Sequence, residues 1–178
     1  MTIRPAFDEA PFADALIGLQ RGDFTRLSPL FEASTAEPPA IVQWHELGWF
    51  RDHSRESAEA LTCACFLGTI PVAEYLLNLG VDPSGGIGTG LNAFHWAANR
   101  GQLAAVRLLL GHQAPLEVRN AYGGTVLGGT VWAASHEPKR DHLAILEELL
   151  SAGANVKEAD YPTGEIRVDD LLRHFGAA

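Results

Sequence analysis

The sequence of 178 residues predicts an all-α solenoid of stacked helix-turn-helix units with degenerate N-terminal and C-terminal caps. Three observations predict it. First, the segment from Leu61, LTCACFLGTIPVAEYLLNLGVDP, superposes on the segment from Phe94, FHWAANRGQLAAVRLLLGHQAPL, at an offset of 33 residues (94 − 61). Second, the same residue types recur at that offset: Ala64 on Ala97, Gly68 on Gly101, Leu76 on Leu109 and Leu77 on Leu110. A third copy ends DHLAILEELLSAGANV, with Leu149, Leu150 and Gly153 in the corresponding places. Third, each second helix carries apolar residues at helical spacing, as in Val72, Tyr75, Leu76 and Leu79, then Val106, Leu109 and Leu110. One such pair cannot bury its own apolar face, so a stack of them makes the core.

The elements follow in order along one domain. Residues 12–31, FADALIGLQRGDFTRLSPLF, read as a degenerate N-terminal helix pair with Gly22 between its helices. An insert over 32–57 comes next; Pro38 and Pro39 mark a loop at its start. Repeats are expected over 58–87, 88–120 and 121–158, the last lengthened by an insertion around SHEPKRD at 135–141. Residues 162–176 form a capping helix, with Ile166, Leu171, Leu172 and Phe175 apolar and Arg167, Asp169 and Arg173 outside. This makes four stacked helix pairs and no sheet. Within the repeats, Ala64 and Ala97 allow close helix approach. Gly68 and Gly101 end the first helices and Gly80 and Gly153 the second, where a positive φ is wanted. Gln113 takes that place in the middle repeat, at a cost of roughly 1 kcal/mol for a residue with a Cβ. Trp96 and Trp132 are expected to face the core.

These segments resemble the ankyrin repeat. FHWAA (94–98) stands where that family writes its threonine-proline-leucine-histidine-x-alanine signature, with His95 on the family's histidine. NAYGGTVLGG (120–129) looks like the β-turn that opens the next repeat, with Thr125 on the signature threonine, and SAGANV (151–156) matches the repeat ending. Glu59 and Asn92 replace the threonine elsewhere, and Ala60 and Ala93 the proline. YGGTVLG in the third repeat is also similar to a group of bacterial ankyrin-repeat proteins.

The resemblance implies a protein–protein interaction module without catalytic activity, binding through the concave face of β-turn tips and first helices. Carried residue by residue, the turn tips are Arg55, Glu56 and Ala58, then Gly88, Thr89 and Leu91, then Ala121, Tyr122 and Gly124. The first-helix positions are Phe66 and Leu67, Asn99 and Arg100, and Ser135 and His136. The expected partner-binding set is therefore Arg55, Glu56, Phe66, Leu67, Leu91, Asn99, Arg100, Tyr122 and His136. Solvated Phe66, Leu67, Leu91 and Tyr122 beside Arg100 would have the composition of an interface hot spot. The competing expectation is that the insert folds over Phe66 and Leu67.

Composition and chemistry narrow the function further. Thirteen Lys and Arg against 22 Asp and Glu leave a net charge of −9, which disfavours nucleic acid and anionic membrane and favours a basic protein partner. Two cysteines, Cys63 and Cys65, an acidic start and no long apolar run point to a cytoplasmic protein. No metal or cofactor is expected: a second cysteine pair is missing, and His45-Glu46 has no histidine four residues on. GGIGTG (85–90) lacks the Lys-Ser/Thr of a phosphate loop. His95, His112, His142 and His174 read as structural or surface groups. His45, His53 and His136 have no such role. Trp44, His45, Trp49 and His53 in the insert offer the alternative, a small-molecule or enzyme pocket; on one helix His45, Trp49 and His53 would share a face. The plainer expectation is that these aromatics pack the insert onto the first repeats.

Overall fold

The structure, a computed structural model, describes residues 9–86 and 90–178. Gly88 and Thr89, expected at a turn tip, lie outside them. Among the described residues ten α-helices run in order: α1 Glu9–Arg21, α2 Phe24–Leu27, α3 Ala40–Glu46, α4 Ser54–Leu67, α5 Ile70–Asn78, α6 Ala93–Asn99, α7 Leu103–Gly111, α8 Val126–His136, α9 His142–Ser151 and α10 Ile166–His174. Short 3₁₀ turns occupy Ser28–Phe31 and Val156–Glu158, and no strand occurs among the described residues. The helices form two layers. First helices α1, α4, α6 and α8 pack side by side, and α5, α7 and α9 form the layer behind them. The last helix, α10, closes the stack against α8 and α9.

Local chemistry sets these boundaries. Asn92 and Thr125, 33 positions apart, cap α6 and α8; their side-chain oxygens accept from the backbone N–H groups of His95 and Gly128. Asn92 thus caps α6 as Thr125 caps α8. Gly68 and Gly101 both sit at φ 75°, ending α4 and α6 in left-handed conformation. Gln113 adopts φ 57°, the one non-glycine residue at positive φ among those described. Leu76, Leu109 and Leu149 are fully buried, and Ala64 and Ala97 have no exposed surface where first helices meet.

Four expectations need correction. First, α4 begins at Ser54 and has 14 residues against seven for α6, so Arg55 and Glu56 lie in its first turn and Ala58 is buried rather than at a turn tip. Second, Trp132 does not face the core: half of it is open to solvent. Third, Ile166 is 73% exposed at the start of α10, and Val168 with Leu172 anchors that helix instead. Fourth, α3 ends at Glu46, so His45, Trp49 and His53 share no helix face.

The insert is an aromatic cap on the N-terminal unit. Trp44, Trp49, Phe50 and His53 surround the Phe12 ring of α1, with centroids 5.1–5.8 Å away in edge-on geometry. Trp44 and Trp49 stack on one another at 6.4 Å. Edge-on pairs place positive ring edges against negative faces, and each is worth about 0.5–1.5 kcal/mol beyond burial.

Candidate functional site

The turn before α8 is held by side chains. Asn120 Oδ1 accepts from the backbone N–H groups of Tyr122 and Gly124 at 2.9 and 3.0 Å, and Asn120 N–H donates to the Gly124 carbonyl. Gly123 supplies a φ of 83°. His95 ties the turn to α6, with Nε2 3.2 Å from the Gly124 carbonyl and Nδ1 2.8 Å from Asn92 Oδ1. Arg119 adds a hydrogen bond to the Gly123 carbonyl and an ion pair to Glu158. Tyr122, 80% exposed, is therefore displayed on a stiff mount.

A second cluster lies at the ends of the first helices. Phe24, Phe66 and Trp96, from three successive units, meet edge-on with centroids 5.1–6.3 Å apart. Arg100 closes this cluster, its guanidinium carbon 4.7 Å above the Phe66 ring. Phe66 and Leu67 are half-buried, and Phe24 of α2 packs against the Phe66 ring. Leu91 and Asn99, both half-buried, border a hollow of about 140 Å³ with Trp96 and Asn120, and Gly129 leaves it open. Arg55 is exposed, while Glu56 accepts from Gln20 of α1 at 2.6 Å and faces the N-terminal unit.

The third element escaped the sequence reading. Counting 33 from Phe66 reaches Asn99, and 33 more reaches Trp132, so these three occupy one position of successive first helices. Placing the third-repeat positions at Ser135 and His136 was one turn too late, because α8 has 11 residues where α6 has seven. A strict count from Asn99 would have found Trp132. His136, also exposed, stacks under the indole at 5.0 Å and 13°, with Nδ1 2.9 Å from the Trp132 carbonyl. The stacked pair forms a flat apolar plate.

The alternative pocket does not assemble. Of Trp44, His45, Trp49 and His53, His45 alone lines the 470 Å³ depression between the insert and the end of α5. Its imidazole stacks on Phe50 at 4.1 Å, and burial lowers its pKa to about 4, leaving it neutral. Ser57 Oγ lies 3.5 Å from Nε2. Cys63 and Cys65 are buried thiols; burial pushes Cys65 up to about 12 and Cys63 higher still. Neither is a nucleophile at neutral pH. Among the described residues, no group of three or more His, Cys, Asp or Glu is placed to hold a metal ion, and no helix is long and apolar enough to cross a membrane.

A family model described as ankyrin repeats in three copies matches residues 61–160, which is 100 of the 178 positions. No curated protein matches the chain.

Proposed function

The chain belongs to the ankyrin-repeat family, whose members generally serve as protein–protein interaction modules, and from that premise we propose that it holds a partner protein without catalysing a reaction. The contact surface in this reading is the exposed edge formed by the Asn120–Gly124 turn and the ends of α4, α6 and α8. One observation carries it. Trp132 and Tyr122 are large aromatic side chains left open to water, at 50% and 80%, on otherwise well-buried helices and a pinned turn. Such residues lose little conformational freedom on contact and bury much area, the character of interface anchors. The fixed turn lowers the ordering cost of association.

Arg100 and Asn99 flank these anchors, His136 backs Trp132, and Leu91 opens beside Trp96 as a recess for a small apolar side chain. The partner's face is basic in this reading, because a chain of charge −9 attracts cations and speeds their encounter. Arg55 and Glu56 stand apart, at the N-terminal end of α4, and belong to the rim. The test is affinity capture from the native host, followed by calorimetry with the captured protein, for wild type and a Tyr122→Ala/Trp132→Ala double variant. Loss of binding by the variant with an unchanged unfolding midpoint supports this face. Equal affinity would move the contact elsewhere.

A further inference from the structure

We propose that a second site binds a small phosphate monoester between the α8–α9 loop and α10. A pocket of about 500 Å³ lies where that loop meets the first turns of α9 and α10. Lys139, Arg140 and Arg167 line it, against one lining carboxylate, Glu165. The chain as a whole carries 13 Lys and Arg for 22 Asp and Glu, so three cations around one acid reverse its overall balance. None of the three lies within ion-pair distance of a carboxylate among the described residues. Arg26, Arg107, Arg119 and Arg173 each pair with one; Lys139, Arg140 and Arg167 are set apart from the other unpaired cations by lining one pocket together. All three side chains are exposed, so water and salt screen their mutual repulsion and leave them open to an anion from solution.

The donor inventory favours a phosphate over a lone carboxylate. Two guanidinium forks and an ammonium supply more donors than a carboxylate can accept, and match a dianion with three terminal oxygens. The two sources of these charges also differ. Lys139 and Arg140 come from the polar insertion in the third repeat, and Arg167 comes from the capping helix. The site therefore exists only where the insertion and the cap meet. The positive end of the α9 dipole adds to the field there without creating the site.

A phosphate would fill a fraction of the pocket. Leu143 and Val168 form an apolar wall for the rest of a ligand, and Glu165 offers an acceptor to a hydroxyl. The expected occupant is thus a small hydroxylated organic phosphate, such as a pentose phosphate. This inference does not rest on the partner-binding reading: Ala134 and Ser135 of the pocket lie in the last turn of α8, but none of Tyr122, Trp132 and His136 lines it.

The experiment titrates the full chain with inorganic phosphate, ribose 5-phosphate, unphosphorylated ribose and succinate. Binding is followed by calorimetry and by amide shifts of Leu143, Ala144 and Arg167. Saturable binding of ribose 5-phosphate is expected, with weaker binding of inorganic phosphate, weakening with added salt. Arg140→Ala/Arg167→Ala should lose affinity on the order of tenfold or more for each arginine removed, the size of a charge-assisted hydrogen bond. Arg140→Lys/Arg167→Lys should recover part of it. Both pairs are surface changes, and their unfolding midpoints check the fold. Tyr122→Ala/Trp132→Ala should bind ribose 5-phosphate as wild type does, even if partner binding is lost or was never present. Ribose or succinate binding as tightly as ribose 5-phosphate, no saturation by any phosphate, or wild-type affinity in the alanine pair would each overturn the proposal.

Discussion

The guanidinium of Arg100 lies over the ring of Phe66, 4.7 Å from its centroid, although the two residues belong to different repeats. Arg100 follows the last residue of α6, and Phe66 is the penultimate residue of α4. The contact fixes the direction of an exposed cation beside an apolar cluster, at a gain of about 0.5–1 kcal/mol for such a surface site. It supports a division of labour, in which Arg100 orients and the aromatics anchor. Truncating Arg100 together with Tyr122 should weaken a partner by ~2 kcal/mol or more, with an unfolding temperature close to that of wild type. Calorimetry against the captured partner measures it, and an unchanged affinity would exclude this pair from the contact.

The core prediction concerns Leu109 of α7, which is fully buried. Leu109→Ala should cost ~2–5 kcal/mol from lost transfer energy and the cavity left behind. Chemical denaturation reads it directly. A midpoint that does not move would contradict the packing.

Gln113 offers a gain. It ends the middle repeat at φ 57°, where a side chain with a Cβ is strained. Gln113→Gly should stabilise the protein by about 0.5–1 kcal/mol, since glycine reaches that region freely. The matching positions Gly80 and Gly153 sit at φ 81° and 99°, and replacing either with alanine should do the opposite. A thermal melt of the three variants tests both signs.

Asn92 is expected to be sensitive for a different reason. Its buried oxygen accepts from the His95 backbone N–H and lies 2.8 Å from the ring Nδ1. Asn92→Ala removes a helix cap and leaves the His95 ring without a partner there, for a combined cost of about 2–4 kcal/mol. Asn92→Thr keeps the cap and should lose less. Equal losses in the two variants would show that capping contributes nothing.

The pH dependence follows from three histidines. Burial lowers the pKa of His45 to about 4, against 6.5 when free, and lowers those of His95 and His142 as well. The unfolded chain then binds more protons than the folded one between those values, so stability rises with pH there. It is complete above about 6.5 and is lost as pH falls toward 4. His45→Gln should narrow the difference in urea midpoint between pH 4.5 and pH 7.5 without abolishing it, because His95 and His142 still titrate. An undiminished difference would mean that the His45 ring stays protonatable in the fold.

Repeat order, helix identity and core positions were legible in the amino-acid sequence, because each depends on spacing. The 33-residue offset, the glycines closing helices and the leucines at helical intervals act locally, and Leu76, Leu109 and Leu149 are buried where the pattern put them. Where residues depart from the period, spacing has no purchase. The end of the insert became a backward extension of α4, which turned Arg55 and Glu56 from turn tips into helix. Part of the surplus in the third repeat became an added turn of α8, which moved the first-helix position from His136 back to Trp132. An insertion can lengthen a helix or a loop at similar local cost, and the neighbours it packs against decide between them. The same applies to Lys139, Arg140 and Arg167, far apart along the chain and joined only by the meeting of a loop with the capping helix. Periodicity determined the buried leucines and alanines of the repeats; tertiary packing decided which side chains outside that pattern, Trp132 and Ile166 among them, stand at the surface.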